Sequence, residues 1–144
     1  MILVRTILQT TGNPVWSVDP DTMVFDALKI MAEKNIGALL VLSNNRIEGI
    51  FSERDYARKI VLQGKSSHET AVRDIMTRDV ISVGPDQSIE ECMALMTTKH
   101  IRHLPVLDGQ KILGMVSIRD IVRELISEKE YTIKQLQNYI TGAR

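Results

Sequence analysis

Shifted by 65 positions, this chain lies on itself. Val15–Ile60 falls on Val80–Leu125 without a gap, and 17 of the 46 paired positions are identical. The identities include Ser17/Ser82, Val18/Val83, Pro20/Pro85, Asp21/Asp86, Met31/Met96, Ile36/Ile101, Val41/Val106 and Gly49/Gly114. Near the C-terminal end they include Ser52/Ser117, Arg54/Arg119 and Asp55/Asp120. Ungapped identity over that length means two copies of one supersecondary unit. A prelude repeats too, at a spacing of 68: Val4-Arg5-Thr6-Ile7-Leu8 resembles Val72-Arg73-Asp74-Ile75-Met76. Copy one therefore carries three extra residues near Thr11–Pro14, and Thr-Gly-Asn-Pro reads as a loop.

Each copy reads β-α-β-β-α. Val15–Val18 and Val80–Val83 are short β-branched runs ending at Pro-Asp turns. Helices are expected to begin at Asp21 and Asp86, and Ser88 with Glu91 also fits a capping box. Val24, Leu28 and Met31, like Ile89, Met93 and Met96, recur at helical spacing. These helices stop near Asn35 and His100. Strands follow at Ala38–Leu42 and His103–Leu107, then hairpin turns at Ser43-Asn44-Asn45 and Asp108-Gly109-Gln110. Return strands run Arg46–Phe51 and Lys111–Val116, and a second helix starts at each repeated Ser. The first helix must cross over the sheet, and one such unit buries too little core to stand alone. The expected fold is mixed α/β (α+β), with two tandem units packed in pseudo-two-fold fashion. The division is 1–65 for copy one with its N-terminal segment, 66–126 for copy two and 127–144 for a C-terminal helix. Lys65–Glu69 in the connection is polar and expected to be exposed. In the tail, Ile133, Leu136 and Ile140 form one stripe, and Gly142 is a stop signal.

Composition narrows the function. At 144 residues, 44% apolar and 25% charged, the chain suits one compact soluble unit. Formal net charge is zero, which argues against nucleic acid or an anionic membrane as partner. The single cysteine, Cys92, excludes an internal disulfide and a multi-cysteine zinc site, and it reads as a buried structural thiol. No apolar run approaches the roughly 20 residues of a membrane span, and residues 1–11 lack a signal-peptide pattern. The expected location is cytoplasmic.

The repeated phrase carries the chemistry. Gly49-Ile50-Phe51-Ser52-Glu53-Arg54-Asp55 and Gly114-Met115-Val116-Ser117-Ile118-Arg119-Asp120 both read Gly, two apolar residues, Ser, any residue, Arg, Asp. Ser with Asp three residues on is also a plain helix cap. The doubling in register, the preceding Gly and the adjacent Arg favour a ligand. A helix start with a hydroxyl suits a phosphate, and a carboxylate suits the paired hydroxyls of a ribose.

The doubled unit resembles the CBS domain, named for cystathionine beta-synthase, whose tandem pair is called a Bateman module. The resemblance runs from about Val4 to Ile126. The family's signature of Gly, apolar, any residue, Ser or Thr, two residues and Asp is matched at Gly49/Ser52/Asp55 and Gly114/Ser117/Asp120. It implies a regulatory module, not an enzyme, that binds an adenosine-containing ligand such as AMP, ADP, ATP or NAD in the cleft between the copies. S-adenosylmethionine binding is the alternative ligand. The resemblance places adenine on main chain at Val15, Trp16 and Ser17 or at Val80, Ile81 and Ser82, and ribose on Asp55 or Asp120. Ser52, Ser117, Arg54 and Arg119 complete the signatures. Arg102 and His103, with Pro105, open the second strand of copy two toward the phosphates. Copy one has Gly37 and Ala38 there and offers no cation; across a two-fold-like cleft Arg102 and His103 could serve either site, at least one site is expected to be occupied, and the Ser117/Asp120 site ranks first. A His103 facing phosphate is expected to have a raised pKa. The resemblance also implies a homodimer and a separate regulated protein. Two other readings are an interaction module with empty clefts and a nucleotide hydrolase. The second lacks any metal-ligand cluster, nucleophile–base pair or Gly-rich dinucleotide fingerprint.

Overall fold

The computed structural model describes residues 1–12 and 15–141. The expected loop at Thr11–Pro14 lies partly outside these residues, at 13 and 14, and the stop signal at Gly142 lies wholly outside. The described chain forms two compact units. One is Val15–Ser82; the other combines the described residues of Met1–Pro14 and Val83–Arg144. Sequence repeat and compact unit are thus different divisions of the chain.

In the Val15–Ser82 unit, β1 (Ser17–Val18) pairs in parallel with β2 (Ala38–Ser43), which turns back antiparallel into β3 (Arg46–Ser52). α2 (Val24–Lys34) is the crossover between the parallel strands. It stops at Asn35, which takes the left-handed conformation at φ +54°. α2 begins three residues later than Asp21, after Met23, which caps with no side-chain bond. Asp21 instead pairs with Arg73. The hairpin turns through Asn44 and Asn45 at φ +53° and +63°, the paired left-handed geometry that a two-residue loop between twisted strands needs. α3 (Glu53–Tyr56) continues into a π-helical turn, Ala57–Val61. A 3₁₀ turn, Val72–Asp74, opens the last stretch of the unit. The core gathers Val24, Ala27 and Met31 of α2, Leu39, Val41 and Phe51 of the sheet, and Val72, Ile75 and Met76 of the returning prelude.

The other unit opens with α1 (Val4–Thr11), which buries Val4, Ile7 and Leu8 and ends at Gly12, φ +80°. α4 (Ile89–Lys99) starts at the expected capping box. Glu91 N–H donates to Ser88 Oγ (3.2 Å), and the Glu91 carboxylate accepts from Ser88 N–H (3.5 Å). α4 ends at His100, φ +56°, the counterpart of Asn35. β4 (His103–Asp108) and β5 (Lys111–Ser117) form the hairpin, and α5 (Ile118–Thr141) follows. Both hairpins carry a register shift at the same place, Val41/Leu42 and Val106/Leu107. The second helix of copy two and the C-terminal helix, expected as separate pieces, are one helix of 24 residues. No glycine or proline lies between Ile118 and Thr141 to stop it.

The strand expected at Val80–Val83 shrinks to a single parallel bridge, Val83 to Val106. A cause is readable. In copy one, Leu40 N–H donates to Trp16 O in the parallel ladder (3.3 Å). The residue matching Leu40 is Pro105, which has no N–H to give.

The preludes are exchanged. Residues before copy one pack on copy two, and residues before copy two pack on copy one. Val4 N–H donates to Gln87 O (2.9 Å) as Val72 N–H does to Thr22 O (2.8 Å). Arg5 N–H donates to Pro85 O (2.9 Å) as Arg73 N–H does to Pro20 O (3.0 Å). Ile89 N–H donates to Ile2 O (3.0 Å) as Val24 N–H does to Thr70 O (2.9 Å). Each partner pair is related by the 65- and 68-residue offsets of the two repeats.

Candidate ligand site

The two signatures sit at matching strand ends. Ala38 is the cross-strand partner of Ser52, and His103 is the cross-strand partner of Ser117. Main-chain bonds seal both corners: Glu53 N–H to Gly37 O (3.1 Å) and Ile118 N–H to Arg102 O (2.9 Å). At both, Ser caps the helix that follows. Asp55 N–H donates to Ser52 Oγ (3.2 Å) and Asp120 N–H to Ser117 Oγ (3.1 Å). Asp55 and Asp120 each return a carboxylate oxygen to the Ser backbone N–H, at 3.0 Å in both copies. The cap reading of the motif is thus realised twice.

Beyond the cap, the copies differ. Copy two gathers Arg102, His103, Ser117, Arg119 and Asp120 at one corner. Burial lowers the His103 pKa below the ordinary histidine value; the Asp120 carboxylate opposes this, and Arg102 and Arg119 add to it. With no phosphate present, desolvation of this ring outweighs the Asp120 carboxylate. Arg102 and Arg119 are exposed, and Asp120 is half-buried. Pro105 is buried within β4, where its carbonyl accepts from Val83 N–H (3.0 Å).

Copy one presents a different corner. Ala38 is buried in β2. Asp55 is 6% exposed, and its carboxylate accepts from Ser52 N–H and Oγ, from Thr77 Oγ1 (3.1 Å) and from Lys59 Nζ (3.1 Å). Lys59 also donates to Ile75 O (2.9 Å). Thr77 and Lys59 did not stand out in the sequence. Lys59, one helical turn past Asp55, was findable by spacing; Thr77, 22 residues on, was not. Gly49, expected to let a ligand approach the backbone, is approached by the chain itself. A Cβ there would lie 2.7 Å from Met76 Sδ and 2.8 Å from Thr77 O. Thr77 and Ile50 exchange both main-chain bonds at 2.9 Å.

The remaining candidates are dispersed. Trp16 is 37% exposed, with Lys34 Nζ 4.4 Å from its ring centroid, so it is a surface side chain and not core. Ser17 lines an open groove of about 520 Å³ with Asp19, Thr22, Ile30, Asn44 and Asn45, a groove that Ser52, Arg54 and Asp55 do not line. Val15 is half-buried and Arg54 exposed. Val80 and Ile81 are half-buried and Ser82 exposed, at the end of the Val15–Ser82 unit. Cys92 is buried, and that burial, with Glu91 and Glu90 beside it, pushes the thiol up to about 11, as suits a structural cysteine. Among the described residues, no group of three His, Cys, Asp or Glu is placed to hold a metal ion. No helix among them is long and apolar enough to cross a membrane.

Comparison with known proteins agrees with this architecture. The CBS domain family model matches twice, at residues 4–62 and 72–127. The CBS domain-containing protein CBSX3, mitochondrial, of Arabidopsis thaliana is 43% identical over 136 residues, covering 91% of this chain. This chain spans 66% of that protein's length. A protein with CBS domains from Burkholderia ambifaria is 52% identical, with a TM-score of 0.84 over 87% of this chain and 94% of its own. The CBS domain pair of protein MJ0100, solved with 5′-methylthioadenosine and S-adenosyl-L-methionine, is 27% identical, with a TM-score of 0.79 over 89% of this chain and 98% of its own. Two family-model matches spanning both sequence copies make this chain a member of the CBS domain family.

Proposed function

We propose that this chain is a regulatory module that binds an adenosine-containing ligand at the copy-two signature and performs no catalysis of its own. The observation that carries the reading is the corner of copy two. There a hydroxyl (Ser117), a carboxylate (Asp120), an imidazole (His103) and two guanidiniums (Arg102, Arg119) lie at one helix start. The Asp120 carboxylate takes one N–H bond, from Ser117, and a carboxylate has capacity for more. In this reading Asp120 holds the ribose hydroxyls, and Arg102 with His103 meets the phosphates or another anionic group. AMP, ADP, ATP and NAD are the leading ligands. The complex of the MJ0100 pair, with 27% identity, supports including S-adenosylmethionine. Regulation then acts on another chain, and the module works as a homodimer.

A thermal-shift panel of AMP, ADP, ATP, NAD and S-adenosylmethionine tests this, because binding to the native state raises the melting temperature. At least one should raise it in wild type, and Asp120→Asn should abolish that rise. No rise with any of them would leave an interaction module as the better reading.

A further inference from the structure

We infer that the copy-one signature is not a second ligand site but a closed latch, so that the chain takes one adenosine ligand and takes it at copy two. The stoichiometry rests on the function proposed above; the latch does not. Both signatures have the same sequence pattern, so the difference is one of surroundings. A carboxylate offers about four lone-pair positions. On Asp55 all four are taken: Oδ2 by Ser52 N–H and Oγ, Oδ1 by Thr77 Oγ1 and Lys59 Nζ. On Asp120, Oδ2 accepts from Ser117 N–H, and none of the described residues donates to Oδ1. The positions that match Lys59 and Thr77 through the two repeats are Glu124 and Gln9, so copy two has neither the cation nor the hydroxyl.

Two further observations close copy one. The backbone at Gly49 is already covered by Met76 and Thr77, at distances no ligand atom could share. Copy one also lacks a counterpart of Arg102 or His103, having Gly37 and the buried Ala38. Asp55 instead ties the start of α3 to the segment that follows the 3₁₀ turn. Lys59, carried on the π-helical turn, fastens both Asp55 and the Ile75 carbonyl. A ribose could reach Asp55 only by displacing Thr77 and Lys59 from a carboxylate that is 6% exposed.

Isothermal titration with AMP, ADP, ATP, NAD and S-adenosylmethionine should give one ligand per chain for whichever binds. Asp120→Asn should abolish the heat. Thr77→Val should leave affinity and stoichiometry within about twofold of wild type. Without any ligand, Thr77→Val and Asp55→Asn should each lower the melting temperature by several degrees, about 3–8 °C, whereas Asp120→Asn should lower it by less. Two ligands per chain, or binding lost in Asp55→Asn with its circular dichroism unchanged, would overturn the inference. Failure of all five ligands to bind would sink both the function and the stoichiometry. Equal melting losses for Asp55→Asn and Asp120→Asn would sink the latch alone.

Discussion

Arg5 donates from Nε to Asp86 at 3.1 Å, across 81 positions of sequence. Arg73 makes the same pair with Asp21, across 52. Arg5 and Arg73 are equivalent in the preludes, and Asp86 and Asp21 are equivalent in the copies. Each prelude therefore docks on the copy it does not precede. The two aspartates are 76% and 79% exposed, so these pairs mark the docking register more than they hold it. The holding is done by the duplicated main-chain bonds and by the burial of Val4, Ile7 and Leu8 on one side and Val72, Ile75 and Met76 on the other. Arg5→Ala and Arg73→Ala should each cost no more than about 1 kcal/mol in urea unfolding. A markedly larger loss would show that the ion pair, and not the apolar contact, docks the prelude.

Gly49→Ala should be costly. Its new Cβ would meet Met76 and the Thr77 carbonyl at 2.7–2.8 Å, and the second neighbour is backbone. Overpacking of this kind costs about 1–3 kcal/mol. Denaturant unfolding of the variant measures it; a loss below about 0.5 kcal/mol would mean that the prelude shifts freely off β3.

The cap of α4 is testable alone. Ser88→Ala removes the acceptor of Glu91 N–H, and cap removal costs about 1 kcal/mol. Far-ultraviolet dichroism should show the fold intact, with the midpoint of urea unfolding lowered.

His103 sets a pH dependence. Its folded pKa lies below the ordinary 6.5, chiefly through burial. In that case the unfolded state binds the proton more readily, and stability rises with pH. The contribution is complete above about 6.5 and is lost as pH falls from there through the folded pKa. The melting temperature of the ligand-free protein should fall between pH 7.5 and pH 5.5. His103→Gln should flatten part of that fall. An identical pH profile in the variant would remove His103 from the account.

The C-terminal half of α5 predicts self-association. From Ser127 on the helix is almost wholly exposed, yet it carries Tyr131, Ile133, Leu136, Tyr139 and Ile140, each more than half exposed. An isolated helix of this length is marginal in water, and burial of an apolar face is the usual remedy. Light scattering at micromolar concentration should give twice the chain mass, and Ile133→Asp with Leu136→Asp should shift it toward the single-chain mass. A single-chain mass in the wild type would refute the homodimer.

What the sequence determined by itself is what depends on neighbours within a few positions. The 65-residue repeat, the order of elements apart from the first strand of copy two, the Ser88–Glu91 box, the helix stops near Asn35 and His100 and the hairpin turns after Leu42 and Leu107 were all legible. Each is set by local backbone conformation and by bonds three to five residues long. The family resemblance was legible for the same reason, since its signature is a local phrase. The sequence misplaced the start of α2 and cut α5 in two. It also expected a strand at Val80–Val83, which Pro105 interrupts through an N–H that is missing 25 residues away. Tertiary structure alone decided the exchange of the preludes and the inequality of the two signatures. Asp55 and Asp120 stand in the same local pattern, but one has Thr77 and Lys59 on its free oxygen and the other does not. Whether a carboxylate is open to a ligand depends on which donors the fold delivers to it, and a repeated phrase cannot record that.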